Sequence, residues 1–421
     1  MKTKSVIFVA CLVSFPTTGH AQKADDWPQF RGINGQGVAP TSKLPAKWSK
    51  DENIVWKTDL PGPGASSPVV YNGRIYLTCF TGFGVPGMNG SMEQLERHLL
   101  CLDGEGKILW QKSVKAKLPE SPTIREGHGY ASSTPVVDRD HIYVFYGKSG
   151  VFAFTHDGKQ VWQADVGEKL NGWGSANSPV LFGDMLIVNA SIESETLIAL
   201  DRKTGAEKWR AKGFRESWNA PIVVDVGGKK ELVVAIMGKV LGLDPQTGEQ
   251  LWSCATEIGW YMVPGLIAKD GIVFCVGGRS NQGLAVKAGG KGDVTRTHRL
   301  WTINRGSNVT SPLWHNAHVY WANDNTGTAY CAEMATGKVV YEQRLERANQ
   351  TYASPVLANG WIYHLDRSGR AYVVTAKPEF EVVAVNDLSE RGNVFNASPA
   401  VWGDRLLIRS DKYLHCIGSK K

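Results

Sequence analysis

The chain has 421 residues, 42% of them apolar, with 15 Trp and a formal net charge of +7. That is ample for a core, and the length admits two or three domains unless the chain is built from repeats. Lys and Arg are scattered among Asp and Glu without a block or stripe, which excludes nucleic-acid recognition as the organising function.

The opening MKTKSVIFVACLVSFPTTGHAQ carries Lys2 and Lys4, an apolar run from Val6 to Phe15 and small residues ending at Ala21. This three-part layout predicts a secretory signal over 1–21, and the run is too short to span a bilayer. Cleavage near Ala21 is expected, lowering the net charge to +5 and leaving a periplasmic or secreted protein with no transmembrane segment. Lipid attachment at Cys11 is not expected, because the apolar stretch before it is shorter than a signal core. The other cysteines are 79, 101, 254, 275, 331 and 416. Cys101 and Cys331 occupy a repeat position held elsewhere by Ala153, Ala199 and Gly242, and Cys416 matches it. Such thiols read as small buried apolar residues.

Residues 22–52 form an irregular arm centred on DWPQFRGINGQG, with Trp27 and Phe30 as its anchors. RGINGQG lacks the strand-before, helix-after setting of a phosphate loop. A lone strand follows at Asn53–Trp56. Pro-centred strand entries then recur at 68, 135, 179, 221, 264, 312, 355 and 399, spaced by 67, 44, 42, 43, 48, 43 and 44. Such regularity marks a solenoid or propeller over 53–421. A closing aromatic recurs as Trp110, Trp162, Trp209, Trp252, Trp301 and Tyr341, usually behind an Asp-Gly or Thr-Gly hairpin turn. The interval after Pro68 contains an insertion, roughly Cys79 to Arg97, and blade five has KAGGKGDVTRTH in place of its turn. The last copy ends at Ile417 without a fourth strand, whereas Asn53–Trp56 lacks a preceding three. The predicted fold is therefore an all-β, eight-bladed propeller of four-stranded antiparallel blades, with the N-terminal strand completing the last blade.

The repeat SPVV…IYV…G…ALD…TG…W resembles that of pyrroloquinoline-quinone (PQQ) propellers, a family that holds BamB-like assembly scaffolds and quinoprotein dehydrogenases, and does so over about 370 residues. In such a fold the segments before each Pro gather at one mouth of the central channel. The candidate ligand-binding set is Arg125, Glu126, Trp173, Asn177, Arg215, Glu216, Trp218, Asn219, Trp260, Tyr261, Arg305, Asn308, Tyr352 and Asn396. Aromatic faces supply stacking area, amides orient hydroxyls and Arg grips carboxylates. His128 and Tyr130 are the acid–base candidates. His315 and His318 lie in a turn that reads as belonging to the opposite face. Asp324, Asp366 and Asp411 follow second strands and read chiefly as turn caps.

Three functions compete on this chemistry. The leading one is an exported binding scaffold for an envelope partner or ligand, monomeric and without a cofactor. The second is an enzyme acting on a polysaccharide or glycoside, with Arg125 and Arg215 neutralising a uronate. The third, implied by the resemblance, is a PQQ-dependent dehydrogenase holding calcium through Glu126 or Glu216 with Asn177 or Asn219. Against the third, no adjacent Cys pair and no haem-attachment motif occurs, and no residue maps to the family's catalytic Asp. No metal site is assigned.

Overall fold

The computed structural model describes residues 25–39, 43–122, 124, 128–279 and 281–419. The predicted signal segment and the candidates Arg125 and Glu126 lie outside these residues.

Among the described residues eight sheets are formed, seven of four antiparallel strands and one of four antiparallel strands plus a fifth added in parallel. Blade 1 runs through Val69–Tyr71, Arg74–Thr81, Glu96–Leu102 and Ile108–Lys115, from the innermost strand outward. The innermost strands of blades 2 to 8 are Val136–Val137, Val180–Phe182, Ile222–Val226, Ile267–Lys269, Leu313–His315, Val356–Ala358 and Ala400–Trp402. Blade 8's innermost strand touches that of blade 1. Strand Ile54–Asp59 pairs antiparallel with Tyr413–Ile417 and is the outermost strand of blade 8. Middle strands are apolar on both faces because neighbouring sheets cover each side, as in Met185–Ala190, where every residue is buried.

Two repeated devices hold the sheets together. The first uses the closing Trp. Its indole packs beneath the turn glycine of the next blade and its Nε1 donates to a carbonyl there: Trp110 to His156 (3.2 Å), Trp162 to Arg202 (3.1 Å), Trp209 to Pro245 (3.2 Å) and Trp301 to Met334 (2.9 Å). At Gly205 a Cβ would lie 2.7 Å from the Trp162 ring, and φ is +75°. Only glycine suits that position. Opposite each Trp on the third strand stands a small residue, such as Cys101 facing Trp110 and Ala199 facing Trp209. This explains the small residues and buried thiols at that repeat position. All six described cysteines are free and buried.

The second device is a belt of hydroxyls at the residue before the repeat proline. The backbone N–H of Ser67 donates to Thr134 Oγ1 (2.9 Å), Thr134 to Ser178 Oγ (3.1 Å), Ser311 to Ser354 Oγ (3.0 Å) and Ser354 to Ser398 Oγ (2.9 Å). Blade 5 corrects the sequence reading. There the N–H of Gly265 donates to Ser311 Oγ (2.9 Å), and the strand begins at Ile267. The structural equivalent of the repeat proline is therefore Leu266, two residues beyond Pro264. The segment after its third strand also has a use: Gly292–Asp293 pairs parallel with Trp252–Ser253 as the fifth strand of blade 4.

The arm closes one end of the channel. Trp27 is buried against blade 1, Phe30 enters the channel, and the Arg31 guanidinium donates to the carbonyl of Pro312 in blade 6. Beyond Gly37 the arm docks on blade 7 through Val38 and Leu357, and the backbone N–H of Trp48 donates to Asn386 Oδ1 (2.8 Å).

Candidate functional site

The channel above Phe30 encloses a cavity of about 190 Å³. Of the sequence candidates, it brings together His128, Trp173, Trp218, Tyr261, Asn308, Tyr352 and Asn396. They converge because each precedes the innermost strand of a different blade.

The mouth is dominated by an aromatic cluster over blades 3 to 5. Tyr261 lies 5.8 Å from the Trp173 ring and 5.6 Å from Trp218, the latter edge-on. Trp218 is buried, and its indole N–H is held by Gly174 O at 2.8 Å. Trp260 is 57% exposed and has φ +74°, a left-handed conformation unusual for so large a residue. Over this cluster sits Arg279, which sequence reasoning did not select. Its guanidinium lies 5.0 Å from the Trp260 ring centre, 5.7 Å from Tyr261 and 5.9 Å from Trp173. Arg279 Nε approaches Tyr261 Oη at 3.3 Å, and no described carboxylate pairs with it. Arg279 follows the second strand of blade 5. The turns after the second strands of later blades hold Asp324, Asp366 and Asp411, but at different register positions, so no repeat signal marks Arg279. Across the mouth Arg367 stacks on Tyr352 at 4.4 Å and donates to Asn396 Oδ1 (2.9 Å) and Gln350 Oε1 (2.8 Å).

The remaining candidates stand elsewhere. Asn177 and Asn219 are buried, and their amides tie strands together: Asn177 donates to Asn189 O, and Asn219 Nδ2 donates to Ala235 O at 2.6 Å. Arg215 pairs with Glu195 (2.7 Å) and Arg305 with Glu342 (2.5 Å), both on exposed ground. Glu216 is half-buried with φ +51°, and its carbonyl accepts from Met262 N–H (2.8 Å). Asp366 accepts from Ser368 and Arg370, which is turn capping, whereas Asp324 departs from that expectation: it accepts from Ser307 Oγ and Asn308 N–H and so ties its turn to the blade 6 entry.

His128 lies with Nδ1 2.9 Å from Ser132 Oγ, and that hydroxyl donates to His128 O (2.7 Å). Burial pushes its pKa down to about 4, so it is neutral near pH 7 and weakly basic. Tyr130 donates its hydroxyl to Ser121 O (2.7 Å) and packs edge-on against Phe80, and burial raises it to about 12. The insertion after Phe80 covers it, with Phe83 5.9 Å away. Beside Tyr130, Arg97 is enclosed by Glu120 (2.5 Å), Ser149 Oγ (3.0 Å) and Tyr130 O (2.8 Å).

No Asp, Glu, Lys or Arg is among the described residues lining the cavity, and the described residues contain no group of three His, Cys, Asp or Glu side chains placed to share a metal. A quinone bearing three carboxylates and held with calcium calls for cationic side chains and carboxylate oxygens. The described lining does not fit that group.

Fold and site together define a β-propeller with a plugged floor and an aromatic, arginine-capped mouth. A family profile described as outer membrane protein assembly factor BamB matches residues 96–343. The chain belongs to this family of PQQ-type repeat propellers. It is 22% identical to BamB of Burkholderia pseudomallei over 384 residues, covering 88% of each chain. With BamB of Yersinia pestis it shares 25% over 329 residues, covering 72% of this chain and 75% of that one. The crystal structure of BamB from Moraxella catarrhalis superposes with a TM-score of 0.63 at 14% identity, over 87% of this chain and 97% of that one. A europium-containing methanol dehydrogenase superposes at 0.53 with 11% identity, over 92% and 90%. These structural likenesses show the shared propeller fold.

Proposed function

We propose that the chain is a non-catalytic binding scaffold of the cell envelope that engages a protein partner through the channel mouth over blades 3 to 5. The observation that carries this reading is Arg279, an exposed cation stacked on Trp260 and Tyr261 without a described carboxylate partner, at the rim of a cavity with an uncharged lining. Exposed Trp and stacked Arg are the side chains that most often anchor interfaces. The cavity, near 190 Å³, is smaller than the roughly 300–1,000 Å³ typical of small-molecule pockets. It suits one or two inserted apolar side chains, with an acidic neighbour meeting Arg279. His128 as a weak base and Tyr130 with its hydroxyl engaged give little support to proton transfer. The relatives named as outer membrane protein assembly factors and the predicted secretory signal both favour an envelope setting.

The test is site-specific photocrosslinking from the exposed neighbouring position 259, where an added Cβ meets nothing within 4 Å, in envelope extracts, with affinity capture by the wild-type chain, Trp260→Ala, Arg279→Glu and the outer-turn control Lys338→Glu. One crosslinked species is expected, lost with the first two variants and retained with the control. Trp260→Ala should change stability by no more than about 0.5 kcal/mol, as expected for an exposed side chain. Equal capture by all four proteins overturns the reading.

A further inference from the structure

The floor of the ring carries a different kind of binding edge. As the arm crosses the channel end opposite the mouth, it hydrogen-bonds to the inward edges of successive innermost strands. Trp27 exchanges two backbone bonds with Val70 in blade 1 (2.9 and 2.8 Å), and Val137 in blade 2 donates to Pro28 O (2.8 Å). In blade 5, Ala268 N–H approaches the Gln36 side-chain oxygen (3.3 Å). In blade 7, Leu357 donates to Gly37 O and accepts from Ala39 N–H (2.8 Å each). Val70, Val137 and Leu357 each stand two residues beyond the repeat proline.

Leu181 is their equivalent in blade 3, two residues beyond Pro179 and central in a strand paired on its other side with Met185–Ala190. No described residue hydrogen-bonds its inward N–H or C=O. Val180–Phe182 is also the one innermost strand of the eight in which no residue is buried. It borders an open groove of about 1110 Å³, whose far wall is the arm from Phe30 to Gln36. The charges around the groove pair among themselves: Arg202 with Asp138 (2.9 Å), Lys230 with Asp225 (2.8 Å) and Arg139 with Asp140 (3.2 Å).

We propose that the inward edge of Leu181 receives an extended segment of a partner polypeptide by backbone pairing, continuing around the floor the interface that the arm makes with blades 1, 2 and 7. An unpaired strand edge is a template for such addition. Because the surrounding charges are already matched, the occupant is a neutral segment with apolar side chains over Leu181 and Phe182, recognised through its main chain. This site is separate from the mouth.

Amide hydrogen exchange on the full chain tests it, with an acetylated Thr-Val-Thr-Val-Thr amide as probe. Without peptide, Leu181 should exchange faster than Val70 and Leu357. Peptide at ten times its Kd should slow Leu181 exchange about tenfold. The same peptide N-methylated at alternate amides should give no protection. Leu181→Pro removes the inward donor and leaves the pairing with Met185–Ala190, as edge strands allow, so it should abolish binding. Trp260→Ala should leave the protection unchanged, which separates this edge from the mouth. The proposal fails if Leu181 is already as slow as Val70 without peptide, if no protection develops, or if the N-methylated peptide protects equally. The N-methylated peptide decides the matter even should Leu181→Pro misfold.

Discussion

The joint between blades 2 and 3 and the joint between blades 4 and 5 solve one problem with different chemistry. At the first, Thr134 N–H meets Ser178 Oγ, and Trp162 locks beneath Gly205 with its indole on Arg202 O. At the second, both devices are missing. Gly265 stands where the hydroxyl would be, and Trp252 turns its N–H to Glu231 Oε2 (2.7 Å) within its own blade. In their place come an added strand, Gly292–Asp293, and a parallel bridge between Ser217 and Met262. Trp218 N–H donates to Met262 O (2.7 Å), Met262 N–H to Glu216 O (2.8 Å), and Asn219 Nδ2 reaches Met262 O (3.3 Å). That bridge draws the blade 4 and blade 5 entries together over the channel and sets Trp218 and Tyr261 side by side. The aromatic mouth stands where the standard fastening has been replaced.

Four measurements break or sharpen this contrast. Trp162→Ala should have the largest effect of the single substitutions, losing about 3–5 kcal/mol in urea unfolding, because it removes a buried ring and the lock on the next blade. Asn219→Ala should cost about 2 kcal/mol by taking the side-chain acceptor from buried Ala235 N–H and one donor each from Ala235 O and Met262 O, and it should weaken partner capture as well, since the bridge positions the mouth. Third is pH. Burial pushes His364 and His415 down to about 4, against about 6.5 unfolded. The unfolded chain therefore binds more protons than the folded one in this window. The stability that these groups contribute above pH 6.5 is lost as pH falls towards 4, at roughly 1.4 kcal/mol per unit per histidine. Glu193, raised to about 7 by burial, acts oppositely, its contribution falling as pH rises from about 4.5 to 7. Replacing both histidines with Gln should flatten the acid limb of a stability–pH profile. Smallest is Ser354→Ala, about 1 kcal/mol, because it removes one link of the belt. An Asn219→Ala protein that keeps full capture would detach the bridge from the mouth.

The blades were legible because hairpin turns, closing aromatics and the serine-proline entry follow from local geometry, and geometry repeats. Pro264 misled for the same reason. A proline before a strand resembles the repeat entry, yet the bridge through Met262 shifts blade 5's pairing, and only tertiary contact sets that offset. Within the site, Trp173, Trp218 and Tyr261 were found from the segments they occupy. Arg279 was missed because an exposed arginine in a glycine-rich turn carries no pattern until three rings from two blades surround it. Asn177 and Asn219 were chosen as ligand amides, and the structure places them beneath the surface as strand ties.

The pairing of Ile54–Asp59 with Tyr413–Ile417 also has a temporal side. A strand made early must remain unmatched until the opposite end of the polypeptide has emerged, since its only described neighbour in the last blade is made there. Contacts this distant are slow to form and leave unfinished intermediates exposed. The trunk of the molecule can collapse blade by blade, but its seam is the final stitch, and a chaperone that shields Ile54–Asp59 would act on the slowest step of assembly.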